Sequence, residues 1–301
     1  SFMPMVGKLV VNQEMRATKF SHDNEIAKPH YYKVTLDNGI TTEMAPTTRG
    51  VHLRFSYPST EDAYLVIDGY TDMSEIKIDP AKRQISGWVN NQRFVNNSKT
   101  FRSYFVVQFD KAFEDYGMWE NQKDEIFPKK LEGEGKGYGA YIKFKKGTKV
   151  QAKAASSYIS VEQAVITLND ELGKDKNLEA TKIRGQKTWN ELLNRIQVEG
   201  GTDEQMKTFY SCLFRANLFS RKFYERKANG EPYYYSPYDG KVYDGYMYTD
   251  NGFWDTFRSQ FPLTNILHPT MQGRYMNALL AAQEQCGWLP SWSAPGETGG
   301  M

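Results

Sequence analysis

The thirteen residues DNGFWDTFRSQFP, at positions 250–262, contain two carboxylates, a tryptophan, an arginine and three phenylalanines. The phenylalanines recur every four residues, which predicts a helix with a phenylalanine face buried in the core and an end at Pro262. On that helix Trp254 and Arg258 share a second face. Asp255 lies in the first turn, where the helix dipole stabilises a carboxylate. The segment therefore brings ligand-binding chemistry to the start of a predicted helix.

This helix start allows two interpretations. Asp255 could accept hydrogen bonds from two hydroxyl groups of a ligand while the indole of Trp254 offers an apolar platform. Alternatively, Asp255 could pair with Arg258 and serve only the stability of the helix. The spacing by itself favours neither interpretation.

A second candidate site is the segment 287–300, GWLPSWSAPGETGG, which is rich in proline and glycine. Trp288 and Trp292 are four residues apart, and Glu297 follows them. Tryptophan combines a flat apolar face with a hydrogen-bonding edge, which suits sugars because they present C–H faces beside hydroxyl groups. The pattern predicts the rim or floor of a sugar site, with Glu297 as a candidate acid. Packing of the loop on its neighbours is the alternative.

A third segment, FSHDNEIAKPHYY at 20–32, offers His22, Asp23 and Glu25 as possible metal ligands. Their spacing matches no standard zinc or calcium pattern, so a hydrogen-bonded loop that positions the next strand is favoured. The chain contains no P-loop, dinucleotide-binding glycine pattern, G-x-S-x-G or H-E-x-x-H motif. Phosphoryl transfer and nicotinamide chemistry thus lack their usual signatures.

The composition narrows the classes of partner. Across 301 residues, 38 Lys and Arg nearly balance 36 Asp and Glu, for a formal charge of +2, so no nucleic-acid partner is expected. No apolar run approaches the roughly 20 residues that cross a bilayer, so no membrane insertion is expected. Aromatic residues make up 14% of the chain, which fits either an aromatic core or carbohydrate binding. The oligomeric state has no signal in the sequence.

The length favours two domains, and the hydrophobic period changes near residue 160. Before that point, alternating segments such as 51–57 predict an antiparallel β-sandwich. A hairpin is predicted over 31–45, because Asn38-Gly39 supplies the positive φ angles of a tight turn. The charged, glycine-rich segment 129–139, KKLEGEGKGYG, predicts a solvated loop.

Helical spacing replaces the alternation at Ser160, which forms a capping-box pattern with Gln163. A second capping box begins at Thr202, and the tyrosine-rich segment 224–248 contains too much proline and glycine for a regular helix. Further helices are predicted over 176–198 and 269–286. These patterns predict one domain boundary, near residue 160.

Five runs of sequence resemble glycoside hydrolase family 92. In chain order they are FSHDNEIAKPHYYKVTLDNGI (20–40), SYISVEQA (157–164), TWNELLNRIQVEGGTDEQMKTFYSCLFRANLF (188–219), YTDNGFWDTFRSQFPL (248–263) and GWLPSWSAPGETGGM (287–301). Members of this family are calcium-dependent, inverting exo-α-mannosidases known chiefly from bacteria. The resemblance implies an N-terminal β-sandwich domain (1–159), a helical linker region (160–245) and the start of a six-hairpin α/α toroid (246–301). It also implies release of terminal mannose, expected to be α-1,2-linked, from mannose-containing glycans.

The resemblance assigns roles to individual residues. Asp255 matches the aspartate of the W-D-T-F motif, which binds the non-reducing mannose, and Trp254 lies beside it. Trp288 and Trp292 match the motif G-W-L-P-x-W and are placed near the substrate. The general acid, the base and most calcium ligands are expected beyond Met301.

The chain is therefore expected to be an internal segment of a larger enzyme, which would be secreted, periplasmic or on the cell surface of a bacterium. The alternative is a carbohydrate-binding β-sandwich module without hydrolytic activity.

Overall fold

The computed structural model of the protein describes residues 1–69, 73–90, 101–120 and 125–296. The strands in chain order are β1 Phe2–Val6, β2 Phe20–Lys28, β3 Tyr31–Leu36, β4 Thr41–Pro46, β5 Gly50–Ser56, β6 Ala63–Asp68, β7 Met73–Asp79, β8 Gln84–Asn90, β9 Arg102–Phe109, β10 Asp115–Glu120, β11 Glu125–Pro128, β12 Glu132–Lys136, β13 Tyr138–Phe144, β14 Lys149–Ser157, β15 Arg221–Lys222, β16 Glu225–Arg226, β17 Pro232–Tyr235, β18 Val242–Asp244 and β19 Tyr248–Thr249. The helices are α1 Val161–Leu172, α2 Leu178–Leu193, α3 Asp203–Ala216, α4 Phe253–Thr256, α5 Gln260–Leu267 and α6 Pro269–Cys286.

The first fourteen strands form two sheets that pack as a sandwich. One sheet has the strand order β1-β6-β13-β10-β11, and the other has the order β12-β7-β8-β9-β14-β5-β4-β3-β2. The pairings in both sheets are antiparallel. Buried side chains from both sheets meet in one core, among them Leu65 and Ile142 from the first sheet and Phe55 and Val107 from the second. The predicted antiparallel β-sandwich is confirmed.

The predicted hairpin joins β3 to β4. Gly39 has a φ angle of 82°, and its N–H donates to the carbonyl of Leu36 at 2.9 Å. Glycine adopts a positive φ angle without steric cost, which explains why the chain can reverse at this point.

The segment predicted as a solvated loop, residues 129–139, instead contains strand β12, which pairs with β7. The alternating glycines make room for the ring of Tyr138. A Cβ on Gly133 would lie 2.6 Å from that ring, and a Cβ on Gly135 would lie 2.8 Å from it. The prediction failed because the glycines were interpreted as local flexibility, whereas here they accommodate a side chain from the next strand.

Residues 20–28, predicted as part of a hydrogen-bonded loop, form strand β2 at one end of the nine-stranded order. A register shift interrupts its pairing with β3 between Phe20 and Glu25. The hydrogen bonds are present, since the Tyr32 hydroxyl donates to Glu25 and His22 Nδ1 lies against the same carboxylate, both at 2.6 Å. The strand was missed because an edge strand need not bury one face and so shows no alternation.

Ends of α1, α3 and α6 fall at the predicted capping residues. The Ser160 hydroxyl accepts the amide hydrogen of Gln163 at 3.1 Å at the start of α1. A reciprocal capping box between Thr202 and Gln205 starts α3. Helix α6 begins with proline and ends at Gly287, which has a φ angle of 84°. Helix α2 is shorter at both ends than the predicted range of 176–198.

The described residues divide into two compact units. The first comprises those within 1–90 and 102–187, and the second comprises those within 188–301 together with Phe101. In the second unit, the tyrosine-rich segment that was not expected to be helical forms the sheet β16-β17-β18, while β19 pairs with β15. None of the described helices combines the length and apolar character that a membrane crossing requires.

Candidate functional site

The segment 250–262 does not form the single helix that the phenylalanine spacing predicted. Helix α4 has one turn, three turn residues follow it, and α5 then runs through Pro262. Phe257 is 53% exposed, so the predicted buried phenylalanine face is wrong. Pro262 lies in the first turn of α5, where an N–H group would have no helical partner, and so the proline does not end the helix.

Gly252 lies beside two of the candidate residues, and a third packs near one of them. It forms an antiparallel bridge with Trp292. A Cβ on Gly252 would collide with the Trp292 ring and would lie 2.5 Å from Asp255 Oδ2. The ring centres of Trp254 and Trp292 are 6.2 Å apart, with an interplanar angle of 53°. One carboxylate and one indole therefore border the same glycine, and a second indole lies beside the first.

The converging groups are accessible to a ligand. Trp254 is 56% exposed, Asp255 is exposed and Trp292 is partly buried. The Arg258 guanidinium lies over the Phe257 ring, 5.4 Å from the ring centre. Within the described part of the chain, Asp255 and Arg258 form no ion pair. The alternative of a helix-stabilising pair is thus not realised. Because α4 has a single turn, its dipole adds little at Asp255.

The two other predicted binding residues are not part of this arrangement. Trp288 follows α6 and is 75% exposed, and the structure shows no ring contact between it and Trp254 or Trp292. Glu297 lies outside the described residues. The substrate-binding role of all five residues stays a prediction.

Two buried residues that the sequence analysis missed hold the turn before α4. Asn251 and Ser293 are each 1% exposed. The amide of Asn251 donates to Ser293 Oγ at 3.1 Å, and the amide of Ser293 donates to the Asn251 carbonyl at 3.0 Å. The Asn251-Gly252 dipeptide is a local turn signal. The partner 42 residues later has no such signal, because register between distant segments does not show in local spacing.

Asp250 lies in the same turn with a φ angle of 65°, a left-handed conformation that is uncommon for residues other than glycine. Its Oδ2 is 2.7 Å from Arg221 Nε, and its side chain is 17% exposed. Burial raises the pKa of the Asp250 carboxyl, while Arg221 and the Thr249 hydroxyl act in the opposite direction. Backbone strain and partly desolvated carboxylates concentrate at functional sites.

Calcium, which the family resemblance implies, takes about six to eight oxygen ligands, many of them carboxylates. Within the described ranges, no three side chains of His, Cys, Asp or Glu are grouped to hold a metal ion. Asp250 is already paired with Arg221, and Glu25 is bonded to His22 and Tyr32. These residues do not fit a calcium ion, and we derive no step through one.

Two family models match the chain. The N-terminal domain of glycosyl hydrolase family 92 matches residues 1–157, and the catalytic domain of the same family matches residues 163–301. Among curated proteins, an uncharacterized secreted glycosidase from Arthroderma benhamiae is 24% identical over 241 residues. That match covers 71% of this chain and 31% of the relative.

Solved structures share the fold. A family GH92 inverting mannosidase from Bacteroides thetaiotaomicron matches with a TM-score of 0.93 and 41% identity, over 100% of this chain and 40% of that one. A family GH92 α-mannosidase from the same organism matches with a TM-score of 0.86 and 24% identity, over 100% of this chain and 43% of that one. This chain thus spans well under two thirds of both enzymes. With both family models matched in order over nearly its whole length, the chain belongs to glycosyl hydrolase family 92.

Proposed function

We propose that this chain is the sugar-binding part of an exo-α-mannosidase that releases terminal α-linked mannose with inversion. The proposal is carried by the proximity of the Asp255 carboxylate and the Trp292 indole at Gly252, with the Trp254 indole beside that of Trp292. Family membership supports it, as does the 41% identity to a structure described as an inverting mannosidase.

The converging groups offer the two kinds of contact that a pyranose needs. The oxygens of Asp255 accept hydrogen bonds from neighbouring hydroxyl groups, and an exposed indole face covers the C–H groups of the ring. Such contacts assist catalysis because they hold the scissile bond in a fixed orientation relative to the reacting groups.

Inversion needs an acid that protonates the leaving oxygen and a base that activates water on the opposite face of the sugar. The two carboxyl groups are roughly 6.5–9.5 Å apart in such enzymes, which leaves room for the water. We assign neither role to a described residue. In our proposal both groups come from residues after Met301, in keeping with the 40% of the similar mannosidase that this chain spans.

We also propose several properties of the full-length enzyme that the family resemblance implies. They are calcium dependence with most ligands outside this chain, a preference for α-1,2 linkages, an α/α toroid that begins near residue 246, the three-part division at 159 and 245, and a bacterial enzyme acting outside the cytoplasm. The description of the fungal relative as secreted supports the location.

The full-length enzyme tests the activity. We expect ¹H NMR to detect β-mannose as the first product from α-1,2-mannobiose. A chelator should remove the activity, and added Ca²⁺ should restore it. Binding of mannobiose without turnover would instead identify a carbohydrate-binding module and overturn the proposal.

Replacement of one carboxylate tests the sugar site. Asp255→Asn removes the charged acceptor, so we expect kcat/KM on α-1,2-mannobiose to fall about 10- to 100-fold, as for the loss of a hydrogen bond to a charged group. The matched control is Asp203→Asn, an exposed aspartate in the first turn of α3, which should leave kcat/KM within about twofold. Full activity of the Asp255 variant would show that the sugar binds elsewhere.

A further inference from the structure

The turn that leads into α4 is bound to two distant segments. The amide of Asp250 donates to the carbonyl of Ser293 at 2.8 Å, and the Ser293 hydroxyl contacts both the amide and the carbonyl of Asn251, at 3.1 and 3.3 Å. On the other side, the Ser220 hydroxyl donates to Asn251 Oδ1. Asn251 is therefore the residue at which these segments meet.

The side-chain amide of Asn251 has one hydrogen-bonding group in use and one without a partner. Its Nδ2 is buried and has no hydrogen-bond partner among the described residues. A buried donor without a partner lowers stability, a penalty that an apolar or hydroxyl side chain would avoid. Stability given up at one position is a common feature of functional sites.

Gly252 transmits the position of Asn251 to the sugar-binding groups. Its carbonyl accepts the amide hydrogens of Asp255 and Thr256, both at 3.1 Å, and the Thr256 hydroxyl at 2.8 Å. The residue directly after Asn251 thus supplies the acceptor on which the single turn of α4 is built. A movement of Asn251 displaces that acceptor, and with it Asp255 and Trp254.

We infer that Asn251 is a positioning residue, which sets the location of the Asp255 carboxylate and the Trp254 indole by holding the turn through Ser293 and Ser220. The expected effect on kcat/KM rests on the proposed mannosidase function. The expected displacement of Asp255 and Trp254 does not. Sugar affinity thus depends on Asn251, a buried residue that acts through the groups it positions.

Kinetics of the full-length enzyme provide the first test. Asn251→Ala should lower kcat/KM on α-1,2-mannobiose about 10- to 100-fold, with a rise in KM, because a misplaced binding group weakens both affinity and alignment. Ser293→Ala removes only the hydroxyl contacts to Asn251 and should act in the same direction with a smaller effect. If Asn251→Ala fails to fold, the kcat/KM of Ser293→Ala decides whether the contacts to Asn251 position the site.

The matched control is Ser236→Ala in the same compact unit. Ser236 is fully buried, and its hydroxyl donates to Gln285 Oε1 at 2.7 Å, so its loss lowers stability without touching the turn. We expect this variant to show a comparable fall in melting temperature but a kcat/KM within about twofold of wild type. A merely structural Asn251 would behave in the same way as Ser236.

Fluorine NMR gives a readout that does not need activity. Tryptophans are replaced by 5-fluorotryptophan, and the Trp254 and Trp292 resonances are assigned with Trp→Phe variants. We expect both resonances to shift in Asn251→Ala and Ser293→Ala and to stay unchanged in Ser236→Ala. Shifted resonances in an enzyme that neither cleaves mannobiose nor binds mannoimidazole would refute the proposed function and leave the positioning role intact. Resonances and kcat/KM that match the Ser236 control would overturn the inference.

Discussion

At Gly252 the missing side chain determines what the site can contain. The Trp292 ring occupies the space of a Cβ, and the Asp255 carboxylate borders it. The φ angle of Gly252 is not in the left-handed region, so the requirement for glycine here is steric and not conformational. Because Gly252 has only a hydrogen atom as its side chain, the Asp255 carboxylate and the Trp292 indole can both lie against it.

Gly252→Ala tests this requirement. The added methyl group must displace Trp292 or the turn, so we expect a stability loss of about 1–3 kcal/mol, typical of overpacking, and weaker binding of mannoimidazole by isothermal titration calorimetry. The control is Gly273→Ala inside α6, where an added Cβ meets nothing within 4 Å. That change should stabilise the protein by about 0.5–1 kcal/mol, because alanine favours the helix. Equal effects of both substitutions would contradict the steric explanation.

At the scale of elements, the helix ends differ in how they are capped. Helix α3 begins with a complete capping box formed by Thr202 and Gln205. Helix α5 begins after Ser259, whose side chain makes no capping hydrogen bond. Threonine and serine are both favourable at the N-cap, so the sequence does not show that only Thr202 makes a capping hydrogen bond.

Thr202→Ala should therefore destabilise the protein by about 1 kcal/mol, because it leaves an amide of the first turn without its acceptor. Urea denaturation followed by circular dichroism measures the change. Ser259→Ala is the matched control and should change the free energy of unfolding by less than about 0.5 kcal/mol. A loss at Ser259 as large as that at Thr202 would show that the capping geometry does not control stability here.

At the scale of the whole molecule, polar contacts fasten α2 to the nine-stranded sheet of the first compact unit. Arg54 on β5 pairs with Glu43 at 2.6 Å and with Glu179 on α2 at 2.5 Å. His52, which is 2% exposed, contacts the Thr181 hydroxyl at 3.1 Å. Because that hydroxyl donates to Asp175 at 2.8 Å, His52 Nδ1 must carry the hydrogen in this contact.

These contacts make stability depend on pH. Burial, with the nearby Lys153 ammonium, lowers the pKa of His52 from 6.5 to about 4, against the opposing effect of Asp175. The unfolded chain therefore binds a proton below pH 6.5 that the folded chain does not bind until about pH 4. The contribution of His52 to the free energy of unfolding is therefore fully present well above pH 6.5. It is lost as the pH falls from 6.5 toward 4, by about 3 kcal/mol.

The free energy of unfolding at pH 7, 5.5 and 4.5 checks this expectation. His30 and His268 also have lowered pKa values because of burial, so the contribution of His52 is the difference between wild type and a variant. His52→Asn keeps an amide donor near Thr181 and does not titrate. Its stability should fall less steeply between pH 7 and 4.5, and parallel curves would contradict the assignment.

Much of this architecture was predictable from local patterns. The strand over 51–57, the Asn38-Gly39 turn and the capping residues Ser160 and Thr202 depend on a few neighbouring residues, and the structure confirms them. The polar face of that strand was expected in water, but His52 is buried against α2. The motif around Asp255 likewise indicated the family, which both family models now show.

The arrangement of the candidate site depended on contacts between distant segments. The spacing of the phenylalanines predicted one helix, but the pairing of Gly252 with Trp292 accompanies a break after Thr256. Likewise, the glycines of β12 form a strand because the Tyr138 ring covers them.

The sequence by itself therefore determined the β-sandwich, the starts of α1, α3 and α6, the family and the candidate residues, because local periodicity and motifs encode them. Only the tertiary structure decided that Asp255 and Trp292 meet at Gly252, that Trp254 lies beside Trp292, and that Asn251 and Ser293 hold the turn. The physical reason is that steric fit and hydrogen bonding across 42 residues depend on where the chain returns, which no local pattern records.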